Sequence, residues 1–362
     1  VPAGDDQPRL RRDLDALPRY RAGRPAPVVP GVTPLKLASN EHAFGPLPGV
    51  LAAAKESLAR MERYPDFASG RLVEAIAATT GYAPDRIAVG TGSVALLQHI
   101  VQMACVAEDE VVFAWRSFEA YPIVTRIAGA QPVMVPLTAD FRHDVDGLIA
   151  AVTDRTRVLL LCTPNNPTGT TLTHDEVVRV LTSVPSDVLV VLDEAYVEFV
   201  APARRPDIGH LLSAHPNLVV LRTFSKAYGL AGLRVGYAIG SALVIDTLRA
   251  VATPFGVSAP AQAAAAASLS SPAHDDLMRR VEAVVRARSA WASAIAELGL
   301  VVVEGEANFV WLPLAESSTA VGEALDAASI SVRVFPGEGL RITVTDHEAL
   351  ARVQAVLAEL GG

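Results

Sequence analysis

From about residue 85 the chain alternates between short apolar runs and longer stretches with helical spacing. RIAVG precedes the helix-like VALLQHIVQMA, EVVFAW precedes a helical stretch reaching Ile127, and QPVMVPL follows. RVLLLC, the helical HDEVVRVL, VLVVLDEAY, LVVLRTF and LRVGYAIG continue the rhythm. Short β-rich runs separated by helical runs predict an α/β fold with a mostly parallel sheet and helices on both faces. THDE at 173–176 has the capping-box form, so Thr173 is expected to start the helix after the turn PNNPTG.

After about Ser241 the texture changes to an alanine-rich helical region, AQAAAAASL and then RRVEAVVRARSAWASAIAEL, followed by the strand-like LVVVEGEANFVWLPL. This predicts a second, smaller α+β domain. The proline-rich PAPVVPGVTP reads as an extended arm, and no internal repeat is seen. The expected division is an N-terminal arm with part of the small domain over 1–45, a large domain over 46–250 and a small C-terminal domain over 251–362.

Composition narrows the classes. The 362 residues are 51% apolar, but no apolar run reaches the length of about 18 to 20 residues that a bilayer demands. A formal charge of −8, with no block of Lys or Arg, argues against nucleic acid as a partner. The two cysteines, Cys105 and Cys162, have no metal-like spacing, and a reducing cytoplasm fits them best. The first residues, VPAGDDQPRLRRDL, carry no apolar stretch after their basic residues and do not read as a secretory signal.

In an open α/β sheet, ligands bind beyond the carboxyl ends of the strands, and four features fall at such ends. VGTGSV opens a helix whose free N–H groups suit a phosphate, although any tight strand-to-helix turn also uses glycine. TPNNPTG presents Asn165 and Asn166 on a stiffened turn, or is an ordinary Asn-Pro turn. VLVVLDEAY runs an apolar strand into Asp193, Glu194 and Tyr196, where a buried carboxylate must find a partner. Lys226 follows LVVLRTF among small and apolar residues, in TFSKAYGLAGLRVGY. Such a lysine is either salt-bridged and structural or an uncharged amine able to attack a carbonyl. Taken together, a phosphate cup, an amide turn, a buried acid, a nearby phenol and a shielded amine describe a pyridoxal phosphate site.

KLASNEHAFGP, RYPD, CTPNNPTG, VLDEAYVEF, RTFSKAYGLAGLRVGYAIG and GLRITV occur in that order across nearly the whole chain. In these motifs the sequence resembles the fold type I pyridoxal phosphate aminotransferases, in the branch of histidinol-phosphate aminotransferase. GTGSVALLQ, EVVFAWRSFEAYP, VTDRTR and EANFVWLPL look closer to the actinobacterial aromatic (phenylalanine) aminotransferases. The histidinol-phosphate enzymes commonly carry an acidic pair after the serine of the phosphate turn, whereas Val94 and Ala95 follow Ser93 here.

The resemblance implies a role for each residue. Lys226 carries pyridoxal 5'-phosphate covalently and, once freed, shuttles the proton between the substrate α-carbon and the cofactor. Asp193 pairs with the pyridine nitrogen, and Tyr196 and Asn165 bond the phenolate oxygen. Ser93, Val94, Thr223, Ser225 and Arg234 hold the phosphate, and Phe118 stacks on the ring. Tyr64 reaches the phosphate of a neighbouring subunit, making the active site shared and the homodimer obligatory. Arg341 clamps the substrate carboxylate, Arg333 either helps through distal charge or is structural, and Tyr20 and Asn40 line the substrate side. The activity implied is ping-pong transfer of an amino group between an aromatic, phenylalanine-like amino acid and 2-oxoglutarate. The rivals are histidinol-phosphate aminotransferase, a pyridoxal phosphate lyase or decarboxylase, and a regulatory module that has lost its chemistry. A clamp for the α-carboxylate speaks against the second, and the complete catalytic set, with no DNA-binding segment read in the sequence, against the third.

Overall fold

The computed structural model describes residues 11, 14, 15 and 17–360. The reading of the first residues as lacking a secretory signal falls largely outside them. Seven strands form the main sheet: β2 (Ile87–Gly90), β3 (Glu110–Trp115), β4 (Gln131–Pro136), β5 (Thr156–Cys162), β6 (Leu189–Asp193), β7 (Leu218–Thr223) and β8 (Gly236–Ile239). Their spatial order is β2-β8-β7-β6-β5-β3-β4, parallel throughout except at β8, which runs antiparallel to both neighbours. The run read as QPVMVPL is the edge strand β4.

The strands are apolar on consecutive positions because helices cover both faces. Val112, Leu159, Leu161, Val190 and Leu192 belong to one core, and Val111, Phe113, Leu160, Val191 and Val219 to the other. Thr173 does cap the helix His174–Ser183: its hydroxyl accepts from the Glu176 amide while the Glu176 carboxylate accepts from the Thr173 amide. Among the described residues no helix is long and apolar enough to cross a membrane, and both cysteines are free and buried.

A three-stranded antiparallel sheet is built from β9 (Phe309–Leu312), β11 (Arg333–Phe335) and β12 (Gly339–Thr343), in the order β11-β12-β9. Beside it the short β1 (Leu35–Lys36) pairs in parallel with β10 (Ile330–Ser331). The alanine-rich segment forms the helices Ala259–Ser268 and Ser271–Ala296. Packing crosses the expected border at residue 250: Ala261, Ala264, Ala265, Leu277, Val281 and Val284 join the core of the main sheet. Trp291 and Ile295, near the end of the same long helix, join the core of the smaller sheet instead.

The strand expected over LVVVEGEANFVWLPL is mostly absent. Only β9 and an isolated bridge from Val303 to Trp311 are extended pairs. Residues 305–306 dock instead on the PNNPTG turn, where the Glu306 amide donates to the Gly169 carbonyl at 2.8 Å. A Cβ on Gly305 would lie 2.9 Å from the Gly169 Cα, so two glycines are needed for the backbones to meet.

The segments on both sides of β1 follow the smaller sheet: before it the Ser331 hydroxyl donates to the Arg24 carbonyl at 2.8 Å, and after it the Thr343 amide donates to the Leu37 carbonyl at 2.9 Å. In the strand that carries Arg341, a Cβ on Gly339 would stand 2.2 Å from the Leu312 carbonyl oxygen and 2.7 Å from the Trp311 ring. Gly339→Ala is therefore expected to cost about 1–3 kcal/mol through overpacking, read as a lowered Tm; an unchanged Tm would contradict this packing.

Candidate active site

The carboxyl ends of β3, β5, β6 and β7 lie on one side of the sheet, and a cavity of about 400 Å³ opens above them. It is lined by Lys226, Asp193, Tyr196, Ser93, Val94 and Phe118, by Thr223, Ser225 and Arg234, and by Arg341, Arg333, Asn40 and Tyr20. Asn165 and Tyr64 are the expected residues that do not reach it. A neighbouring cavity of about 330 Å³, between Phe67, His99 and Phe255, contains none of the expected residues.

Asp193 ends a strand in which Val190, Val191 and Leu192 are fully buried, and is itself 5% exposed. Its Oδ2 accepts from the Tyr121 hydroxyl at 2.9 Å, while Oδ1 is buried without a hydrogen-bond partner. Burial pushes this carboxyl up to about 6 against the help of Tyr121. Lys226 stands across the wall, its Nζ donating to the carbonyls of Ser39 at 3.1 Å and Asn40 at 3.4 Å. Burial, reinforced by the positive charges of Arg341 and Arg234, brings its ammonium down to about 7. Carbonyl partners alone do not supply the counter-charge of a structural salt bridge. Tyr196 is buried, which raises its phenol pKa, and its hydroxyl accepts from Asn40 Nδ2 at 2.9 Å.

The helix Ser93–Ala104 begins at the cavity behind Gly92, whose φ of 82° suits glycine. The approach of the neighbouring groups is close. A Cβ on Gly92 would meet the Arg234 guanidinium at 2.6 Å, and one on Gly236 would meet the Ser93 amide nitrogen at 2.7 Å. Arg234 Nη1 donates to Ser225 Oγ at 3.2 Å, and the Ser225 amide donates to Thr223 Oγ1 at 3.1 Å. Helix-start amides, hydroxyls and a guanidinium thus converge in a donor set suited to an anion.

Arg341 and Arg333 are direct cross-strand partners on β12 and β11, so both guanidinium side chains face the same side of the small sheet. Arg341 is 7% exposed; its Nη1 donates to Asn166 Oδ1, its Nη2 to the Ala38 carbonyl at 2.6 Å, and its Nε is buried without a partner. Arg333 forms an ion pair with Glu119. Phe118 meets Tyr121 edge-on at 5.7 Å and Tyr20 at 6.5 Å between ring centroids.

One placement corrects the sequence reading. Asn165 lies behind the wall: its Oδ1 accepts from Ser117 Oγ at 2.7 Å, and its Nδ2 donates to Thr168 Oγ1 and the Arg116 carbonyl. Its amide staples the turn, and Asn166 is the residue that faces the cavity. Tyr64, expected at the phosphate of a neighbouring subunit, stands outside this chain's cavity, 82% exposed, its ring 4.7 Å from that of Phe255. Sequence reasoning also passed over Tyr121, Ser117, Ser39 and Glu119. EAYP and SFEAYP carried Glu119 and Tyr121 in plain view, yet nothing local marks a helical phenol as the partner of a carboxylate 72 residues away.

The family model described as aminotransferase class I and II matches residues 32–357. The chain is 48% identical over 345 residues to an aromatic amino acid aminotransferase of Streptomyces coelicolor, covering 95% of each. It is 50% identical over 341 residues to the enzyme of that name from Rhodococcus erythropolis, covering 94% of this chain and 92% of the relative. Among solved structures, the histidinol-phosphate aminotransferase of Sinorhizobium meliloti in complex with pyridoxal 5'-phosphate superposes with a TM-score of 0.84 at 30% identity, over 90% of both chains. With the fold, the strand-end cavity and these similarities in agreement, the chain belongs to the class I and II aminotransferases.

Proposed function

We propose that this protein is a cytoplasmic, homodimeric enzyme that binds pyridoxal 5'-phosphate and moves an amino group between an aromatic amino acid and 2-oxoglutarate. One observation carries the reading: a single cavity holds an amine brought near neutrality and a buried carboxylate with one oxygen unpartnered. The curated relatives' name supports the aromatic substrate. The free, buried cysteines accord with a reducing compartment.

The residues present fit the cofactor. Asp193 Oδ1 suits a protonated pyridine nitrogen, which would supply the missing partner and hold the carboxylate charged. Ser93, Val94, Thr223, Ser225 and Arg234 would take the phosphate, Tyr196 and Asn166 the phenolate oxygen, and Phe118 a face of the ring. When bound, the cofactor supplies an aldehyde that accepts and returns the amino group and a ring that withdraws electrons from the substrate α-carbon. Lys226 Nζ, whose ammonium is brought down to about 7 so that a neutral fraction is present near neutral pH, would be the base that takes the α-proton. Arg341 would hold the substrate carboxylate through a planar fork, and its unpartnered Nε is a donor left for that purpose. Tyr64, with Phe67 and Phe255, forms an exposed aromatic patch that a second copy of the chain would cover.

The substrate is tested on the cofactor-loaded protein by its visible absorption. Phenylalanine is expected to bleach the band and 2-oxoglutarate to restore it; bleaching by histidinol phosphate alone would reassign the side-chain pocket. Lys226→Ala is expected to lose turnover by about a thousandfold or more. Borohydride treatment should fix the cofactor to the Lys226 peptide of the wild type and to no peptide of the variant. Attachment of the cofactor elsewhere would refute the assignment.

The pH dependence of cofactor capture follows from the depressed amine. Only the neutral amine attacks the aldehyde, so capture by cofactor-free protein should accelerate with pH up to about 7 and then level off. A rate still climbing towards the ordinary lysine value of 10.5 would show that Lys226 is not desolvated as described.

A further inference from the structure

The cavity wall between Phe118 and Arg333 holds a charge pair to which the proposed reaction gives no task. Arg333 Nη2 donates to Glu119 Oε2, linking β11 to the loop after β3, with the two side chains 11% and 27% exposed. Both residues line the cavity, and around them stand the rings of Tyr20, Phe118 and Phe335, the last 5.5 Å from the Arg333 guanidinium. Because Arg333 is the cross-strand partner of Arg341, the small sheet aims two cations at one space. One suffices for the carboxylate that every amino acid carries. A second bare cation would favour a ligand bearing another negative charge and leave its own charge uncompensated beside a neutral side chain.

We infer that Glu119 determines specificity: by occupying Arg333 it leaves Arg341 as the one uncompensated cation of the pair and makes the side-chain end of the pocket a charge-cancelled, aromatic-walled space. This rests on the aromatic reading of the site. Among the described residues Glu119 has Arg333 as its one ion-pair partner, while the nearby Arg116 is engaged by Glu338. An aromatic side chain meets rings and a cancelled charge, whereas a phosphate ester or second carboxylate must displace Glu119 to reach Arg333. The dicarboxylate half of the reaction therefore proceeds against this competition, and Glu119 acts by restraining Arg333 and repelling anions, without touching the reacting atoms.

The test is calorimetric binding of two unreactive probes, 3-phenylpropanoate and glutarate, to the cofactor-loaded enzyme. Glu119→Gln keeps the side chain's size and removes its charge. It is expected to tighten glutarate about tenfold while changing 3-phenylpropanoate by less than about threefold. Adding Arg333→Gln should abolish the gain. Equal weakening of both probes, or a gain that survives loss of Arg333, would assign the pair a merely structural role and overturn the inference. If wild-type protein binds 3-phenylpropanoate but Glu119→Gln leaves the ratio unchanged, this inference fails and the aromatic reading stands; if wild-type protein does not bind it, both fall.

Discussion

Asp193 terminates a strand in which Val190, Val191 and Leu192 are fully buried, and the flanking strand partners Cys162 and Leu221 leave it 5% exposed, towards the cavity alone. A carboxylate there is disfavoured unless its oxygens are bonded. Tyr121 supplies half of the requirement, and the rest is left open towards the cavity. Along the chain Glu194 follows at once, but it turns away to pair with Arg222 at 2.8 Å. Two adjacent acids are thereby treated differently: Glu194 has a guanidinium as counter-charge, whereas Asp193 has only a phenol and lines the cavity.

The same desolvation works in the opposite sense on Lys226. Burial and the nearby guanidinium groups favour its neutral form, so the cavity raises an acid and lowers a base with one physical effect. The thiol of Cys162, also on this wall, is pushed up to about 12 by burial and stays protonated. The thiol therefore does not compete as a nucleophile with the lysine amine near neutral pH.

What joins the two sheets is the short segment Ala38–Asn40. Ala38 gives its carbonyl to Arg341, Ser39 gives its carbonyl to Lys226, and Asn40 bonds both Thr343 and Tyr196. Asn40 adopts a φ of 52°, a left-handed conformation that asparagine tolerates better than most residues. The arm thus ties a strand-end lysine to a guanidinium on a different sheet, and the side chain of Asn40 does more than form a turn.

By itself the sequence determined what depends on neighbours along the chain. The apolar rhythm specifies strands and covering helices, Thr173 and Glu176 specify a helix start, and each strand end carries its candidate chemistry: Ser93, Asp193, Thr223 and Lys226. These succeed because secondary structure and strand-end position follow from local periodicity. Tertiary structure alone decided the rest. Which of Asn165 and Asn166 faces the cavity depends on how the turn is stapled to Ser117 and Thr168. The stretch 304–308 gives up strand pairing because Gly305 must pack on Gly169. Glu119 meets Arg333 across 214 positions of sequence. No periodicity encodes such a contact, because it arises only when two separately folded sheets are brought to a common cavity and their charges must be compensated there.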